Sequence, residues 1–135
     1  MDTDWDKIRA LAEFRSGLRK FLAFSEEAVA RAGITGLQYQ ALLAIKAAEK
    51  PVSPGALAKE LLLRANAAVQ MVDRMAAMDL VARTPARDDR RSVHLALTEK
   101  GDALLMTLAR LHLDQLAKRK KQFADILRQL KQTQA

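Results

Sequence analysis

The sequence predicts a mainly α-helical chain with one small β-hairpin. Apolar residues recur at three- and four-residue spacing through long stretches at both ends of the chain, the period of an amphipathic helix. Between them, Val93, Leu95 and Leu97 alternate with other residues, the period of a strand packed on one side. The chain is rich in Ala and Leu and only 4% aromatic, a composition that favours helix.

The first helix is expected to start at Thr3, which with Asp6 has the spacing of a capping box. Trp5, Ile8, Leu11, Phe14, Leu18, Phe21, Ala28 and Val29 give it one apolar stripe. Gly33 can take the left-handed conformation that ends the helix, and Ile34 can supply the apolar contact of a Schellman stop. Thr35 and Gln38 form a second capping box, opening a helix through Tyr39, Leu42, Leu43 and Ile45 that Lys50–Pro51 closes.

Ser53 followed by Pro54 is an N-cap with proline at the first helical position. It opens a short helix, about 54–62, and a second follows over about 66–78 with Asn66 as its expected N-cap. Val69, Val72, Met75 and Leu80 are expected to face inward, and Asp79 to take the left-handed position after the helix. Two strands come next, Val81–Pro85 and Ser92–Leu97, joined by a tip that holds Arg87, Asp88, Asp89, Arg90 and Arg91. Thr98 is the N-cap of a long helix with Glu99 in its first turn. Leu104, Leu105, Leu108, Leu111 and Leu116 mark that helix, and Phe123, Ile126, Leu127 and Leu130 carry the pattern to the end, for five or six helices in all.

Two short helices a few residues apart have the spacing of a helix-turn-helix, whose second helix can enter a major groove about 12 Å wide. That use requires small or hydrogen-bonding residues on the outer face of the helix. Ala65, Asn66, Ala67 and Gln70 meet the requirement, since amides read adenine and small residues allow close approach. Arg64 and Arg74 flank them as expected phosphate contacts. In the ribbon, Val93, Leu95 and Leu97 hold one face to the core, leaving Ser92, His94 and Ala96 outward and the arginine-bearing tip projecting. An arginine there suits a narrow minor groove, where the negative potential is enhanced, and Asp89 stands close enough to Arg91 to orient it. The alternative for each of these residues is an ordinary solvated helix face or charged turn.

The 135 residues are enough for one domain with a real core, and the formal charge of +7 favours a polyanionic partner. Without cysteine there are no disulfides, thiolate metal sites or thiol redox sensing, which agrees with a cytoplasmic location. No apolar run reaches the roughly 20 residues that span a bilayer, so no membrane partner is expected, and the acidic, polar N-terminus is not a secretory signal. His94 and His112 are isolated and read as structural or exposed rather than as ligands. The run Lys118, Arg119, Lys120 and Lys121 reads as a solvated helical face, with a phosphate contact as the alternative. Nothing in the spacing recommends a nucleophile elbow, phosphate loop or metal cluster, so neither an enzyme nor a cofactor is expected.

From Leu57 to Gly101 the sequence resembles, without a gap, the MarR family of winged helix-turn-helix transcriptional regulators. The most specific matches are Val72-Asp73-Arg74-Met75, Leu80-Val81, Asp89-Arg90-Arg91 and Leu97-Thr98-Glu99-Lys100-Gly101, and the run from Gly36 to Ile45 resembles the family's second helix. The resemblance implies a winged helix-turn-helix core over 34–101 within a single domain 1–135, with 1–33 and 102–135 as interlocking dimerisation helices. It also implies a homodimer on double-stranded DNA, most often a repressor, with two recognition helices in successive major grooves and the arginine at Arg91 in the minor groove. A small aromatic or anionic effector between the dimerisation and DNA-binding regions is part of the same expectation, although no residue is assigned to it. Asp79 departs from the family's usual Gly, and Leu62 and Arg64 from its more common Gly and Ser. A protein-binding adapter on the same scaffold and non-specific architectural DNA binding are the competing readings.

Overall fold

The structure, a computed structural model, describes residues 3–86 and 92–133. Six helices and one hairpin follow in the order α1 (Thr3–Arg31), α2 (Gly36–Ala47), α3 (Pro54–Glu60), α4 (Ala65–Ala77), β1 (Val81–Pro85), β2 (Val93–Leu97), α5 (Glu99–Lys118) and α6 (Lys120–Thr133). The expected fold class, mainly α with a small β-hairpin, is the one observed. Two compact units are distinguishable, one from Val29 to Leu108 and one made of residues 1–28 with 109–135.

In the first unit, local chemistry sets most of the boundaries. Gly33 lies at φ +81°, and its N–H donates to the Ala30 carbonyl at 3.0 Å while that of Ile34 donates to Val29 at 3.1 Å. These are the two hydrogen bonds of a Schellman stop, completed by burial of Ile34. The Thr35 hydroxyl accepts the Gln38 N–H at 3.1 Å, and the Thr35 N–H donates to Gln38 Oε1 at 3.0 Å, so the capping box is complete. α2 ends at Ala47, three residues before Lys50. Ser53 Oγ accepts the Ala56 N–H at 3.1 Å, with Pro54 at the first helical position of α3.

α3 is shorter than expected and ends at Glu60. Leu62 takes φ +57°, its N–H donating to the Lys59 carbonyl at 3.3 Å and that of Leu63 to Ala58 at 2.8 Å. α4 ends in the same way at Asp79, φ +60°, with its N–H on Ala76 at 3.0 Å and that of Leu80 on Met75 at 2.9 Å. β1 and β2 pair antiparallel, Val81 opposite Leu97 and Pro85 opposite Val93, so β2 begins one residue later than expected. Val52 adds an isolated bridge, its carbonyl accepting the Leu95 N–H at 2.7 Å. Leu42, Leu57, Val72, Met75, Leu80 and Leu105 are fully buried and form the centre of this unit.

The start of α5 is tied to the end of α4. Thr98 Oγ1 donates to the Asp79 carbonyl at 2.6 Å and accepts the Gly101 N–H at 3.0 Å, while Lys100 Nζ donates to the Met78 carbonyl at 3.0 Å. One hydroxyl thus caps α5 and satisfies a carbonyl left over by α4.

The second unit is held by aromatic edges. Phe14 meets Phe123 edge-on at 5.5 Å, and Phe21 and Phe24 each meet the His112 ring at 5.8 Å. His112 is buried, with its Nε2 2.7 Å from Ser25 Oγ. Trp5, Ile8 and Leu11, expected on the buried stripe of the first helix, are more than half exposed. The C-terminal helical pattern is broken at Arg119, which separates α5 from α6 without a proline or glycine.

Candidate nucleic-acid interface

Chain geometry at the start of α4 decides which residues it presents. Its N-cap is Arg64, in extended backbone and without a side-chain capping bond, and the Ala68 N–H donates to the Arg64 carbonyl at 3.1 Å. Asn66 is therefore the second helical residue and not the N-cap. The left-handed turn at Leu62 ends α3 early, and the alanines on either side of Asn66 are good helix formers that let α4 begin before it. Its amide, not engaged as a cap, stands exposed on the outer surface.

From that start the faces of α4 follow. Ala68, Met71, Val72 and Met75 are buried, a spacing of three, one and three residues that makes one stripe. Val69 falls off this stripe and is 44% exposed, which corrects its expected inward position. Val72, Met75 and Leu80 are buried as expected. Arg64, Ala65, Asn66, Gln70 and Arg74 are all exposed, and Ala67 is half-buried at the margin. The structure thus brings Ala65, Asn66 and Gln70 to the surface of this helix and leaves Ala67 at its margin, with small residues at the N-terminal end where a backbone or base edge can come close.

A charge pairing that sequence spacing does not reveal sits beside this face. The Arg83 guanidinium on β1 forms an ion pair and hydrogen bond with Asp73 Oδ1 on α4. Asp73 is exposed and would repel a phosphate, so the guanidinium removes a local obstacle to a polyanion. With Asp73 matched by Arg83, the charges of Arg64 and Arg74 leave this surface positive. The partners lie ten residues apart on a helix and a strand, and only the fold brings them together.

On the ribbon, Leu95 is buried, Val93 and Leu97 are half-buried and Ala96 is exposed, in line with the expected alternation, while Ser92 and His94 are half-buried. The tip residues Arg87, Asp88, Asp89, Arg90 and Arg91 lie outside the described residues. Lys118, Lys120 and Lys121 are exposed and Arg119 is half-buried at the helix break. Among the described residues no three His, Asp or Glu side chains are grouped to hold a metal ion, and no helix is long and apolar enough to cross a membrane.

Comparison with known proteins agrees with this architecture. Residues 32–92 match the model of the MarR family. No curated protein matches the chain. Among solved structures, wild-type MarR from E. coli in its apo form is 26% identical with a TM-score of 0.73, over 88% of this chain and 92% of that one. The YusO protein of Bacillus subtilis is similar over 98% of this chain and 99% of its own, with a TM-score of 0.74 at 22% identity. A MepR mutant from S. aureus, bound to an oligodeoxyribonucleotide, shares 16% identity and a TM-score of 0.70 over 90% of this chain and 95% of that one. At such identities the latter two are evidence of the fold alone.

Proposed function

We propose that the chain, whose residues 32–92 match the model of the MarR family, is a sequence-specific DNA-binding transcription regulator of that family, a homodimer acting on double-stranded DNA in the cytoplasm. The observation that carries the proposal is the outer face of α4, where Asn66 and Gln70 lie exposed between Arg64 and Arg74 on a helix anchored through Met71, Val72 and Met75. Amides that can bond adenine and flanking cations that can bond phosphate are the two kinds of contact a major-groove helix needs. The S. aureus MepR mutant bound to an oligodeoxyribonucleotide shares this fold.

In this reading 34–101 is the DNA-binding core, and 1–33 and 102–135 are the dimerisation helices. Trp5, Ile8 and Leu11, with Leu127 and Leu130, expose more apolar surface than a monomer of this size has use for, and a second copy would cover it. Each protomer reads one half of a pseudo-palindrome, and the ribbon tip with Arg87, Asp89, Arg90 and Arg91 supplies the minor-groove contact. The regulator is a repressor, released when a small aromatic or anionic effector binds preferentially to a dimer whose recognition helices are wrongly spaced for DNA. Such an effector lowers DNA affinity by the ratio of its affinities for the two states.

Selection of binding sites from random duplexes by the purified protein tests the proposal. The expected result is an inverted repeat with half-sites about 34–36 Å apart. Binding that falls steeply with salt while enriching no sequence means non-specific architectural binding instead. Absence of DNA binding even at low salt favours the protein adapter. Sedimentation of the free protein should give a dimer, and candidate aromatic acids should weaken the selected complex.

A further inference from the structure

The outer face of α4 carries one large apolar side chain, Val69, among residues suited to base edges and phosphates. Val69 lies one turn from Asn66 and Asp73 and beside Gln70, all exposed, and is itself 44% exposed. An apolar side chain at the centre of a polar helical face gains nothing from water. It gains only from an apolar group brought to it. On the base edges of the major groove that group is the 5-methyl of thymine.

We infer that Val69 is a specificity-determining residue that packs against a thymine methyl in each half-site. The inference rests on the regulator reading above and deepens it. Three features of the site favour it. A β-branched side chain in a helix is held almost entirely in one χ1 rotamer, so Val69 presents a fixed surface with little entropy to lose. Ala65 and Ala67 nearby keep the helix surface low and permit the close approach that a methyl contact requires. Asp73, one turn further on, would otherwise favour the amino group of cytosine, but its carboxylate is engaged by Arg83. The face is thereby biased from cytosine toward the A·T pairs that Asn66 and Gln70 also suit.

The test replaces each thymine of the selected operator, one at a time, by deoxyuridine, which lacks only the methyl, and measures affinity at fixed salt. The wild-type protein should lose about fourfold at one thymine per half-site, the effect of uncovering one methyl-sized group. Val69→Ala should bind the thymine and uracil operators equally, and bind the uracil operator as wild type does. Because the probe alters the DNA, the wild-type measurement does not depend on a variant's folding. Indifference of the wild type to every replacement, or an unchanged thymine-to-uracil ratio in Val69→Ala, overturns the inference while leaving the regulator intact. Failure to select any operator overturns both.

Discussion

A Cβ added at Gly101 would lie 2.0 Å from the carbonyl oxygen of Leu80. The obstruction is backbone, and the same carbonyl accepts the Thr98 N–H at 3.1 Å, so it cannot swing aside without giving up a bond. Gly101 is thus the residue that lets the first turn of α5 rest directly on the stop of α4. Gly101→Ala should lower stability by about 1–3 kcal/mol, the range for forced overpacking, with an unchanged denaturant slope. Urea unfolding followed by circular dichroism measures both, and a wild-type midpoint would mean that the contact gives way without penalty.

Leu62 presents the opposite case. It occupies the left-handed region at φ +57° with its side chain 93% exposed, so a Cβ penalty is incurred and no packing is gained. A left-handed L-residue costs about 1–2 kcal/mol. Glycine removes that, and its greater freedom in the unfolded chain returns part of the gain. Leu62→Gly should therefore stabilise the protein by roughly 0.5–1 kcal/mol. Asp79→Gly, at φ +60°, should give less, because aspartate tolerates this conformation better. Thermal melts of the two variants rank them, and equal or reversed shifts would refute the argument.

The ion pair of Asp73 with Arg83 concerns function more than stability. Exposed pairs contribute about 0.2–1 kcal/mol, so Arg83→Ala should leave the melting temperature nearly unchanged. It should nevertheless weaken operator binding, because a bare carboxylate then faces the phosphates. Asp73→Ala combined with Arg83→Ala should recover part of the lost affinity. A double variant that binds no better than Arg83→Ala would show that Arg83 acts only by its own charge.

Contacts to bases and to phosphates should separate experimentally. Gln70→Ala should relax the preference at one operator position by about 1–3 kcal/mol if the amide bonds adenine in bidentate fashion. Arg74→Ala should weaken all sequences alike and reduce the magnitude of the log-affinity against log-salt slope by about one. Repeated site selection and a salt titration tell these outcomes apart.

Tyr39 is the chain's one tyrosine, and its burial raises the hydroxyl pKa above the ordinary 10.0. The folded protein holds this proton more tightly than the unfolded chain does. The stabilising contribution is therefore fully present below the ordinary pKa and declines as pH rises beyond it toward the folded value. Tyrosinate absorbance in the native protein should reach its midpoint above 10.0 and return to about 10.0 in denaturant. Coincident titrations would place the ring in water.

Most of the unit from Val29 to Leu108 is legible in local chemistry because its boundaries are closed by bonds spanning five residues or fewer. The Thr35–Gln38 box, Ser53 before Pro54, Thr98 before α5 and the left-handed Asp79 are of this kind. Where residue type does not encode the deciding interaction, the sequence misleads. Nothing in a leucine announces φ +57°, so the sequence predicts α3 too long and the start of α4 too near Asn66. Val69 is then expected in the buried stripe, since hydrophobicity alone does not say on which side of a helix a valine falls. The Asp73–Arg83 pair and the break at Arg119 depend on tertiary placement and left no local mark.

The three left-handed stops carry a lesson about where the chain's punctuation is stored. Glycine, leucine and aspartate occupy the same conformation at Gly33, Leu62 and Asp79, so residue identity there sets the cost of the stop and not its place. What recurs is the residue immediately after it, a branched aliphatic in every case: Ile34, Leu63 and Leu80. Each donates its N–H back across the turn, and Ile34 and Leu80 are buried as anchors. At Gly33 and Asp79 the helix is ended by the side chain that pulls the chain inward, and the left-handed residue permits the turn.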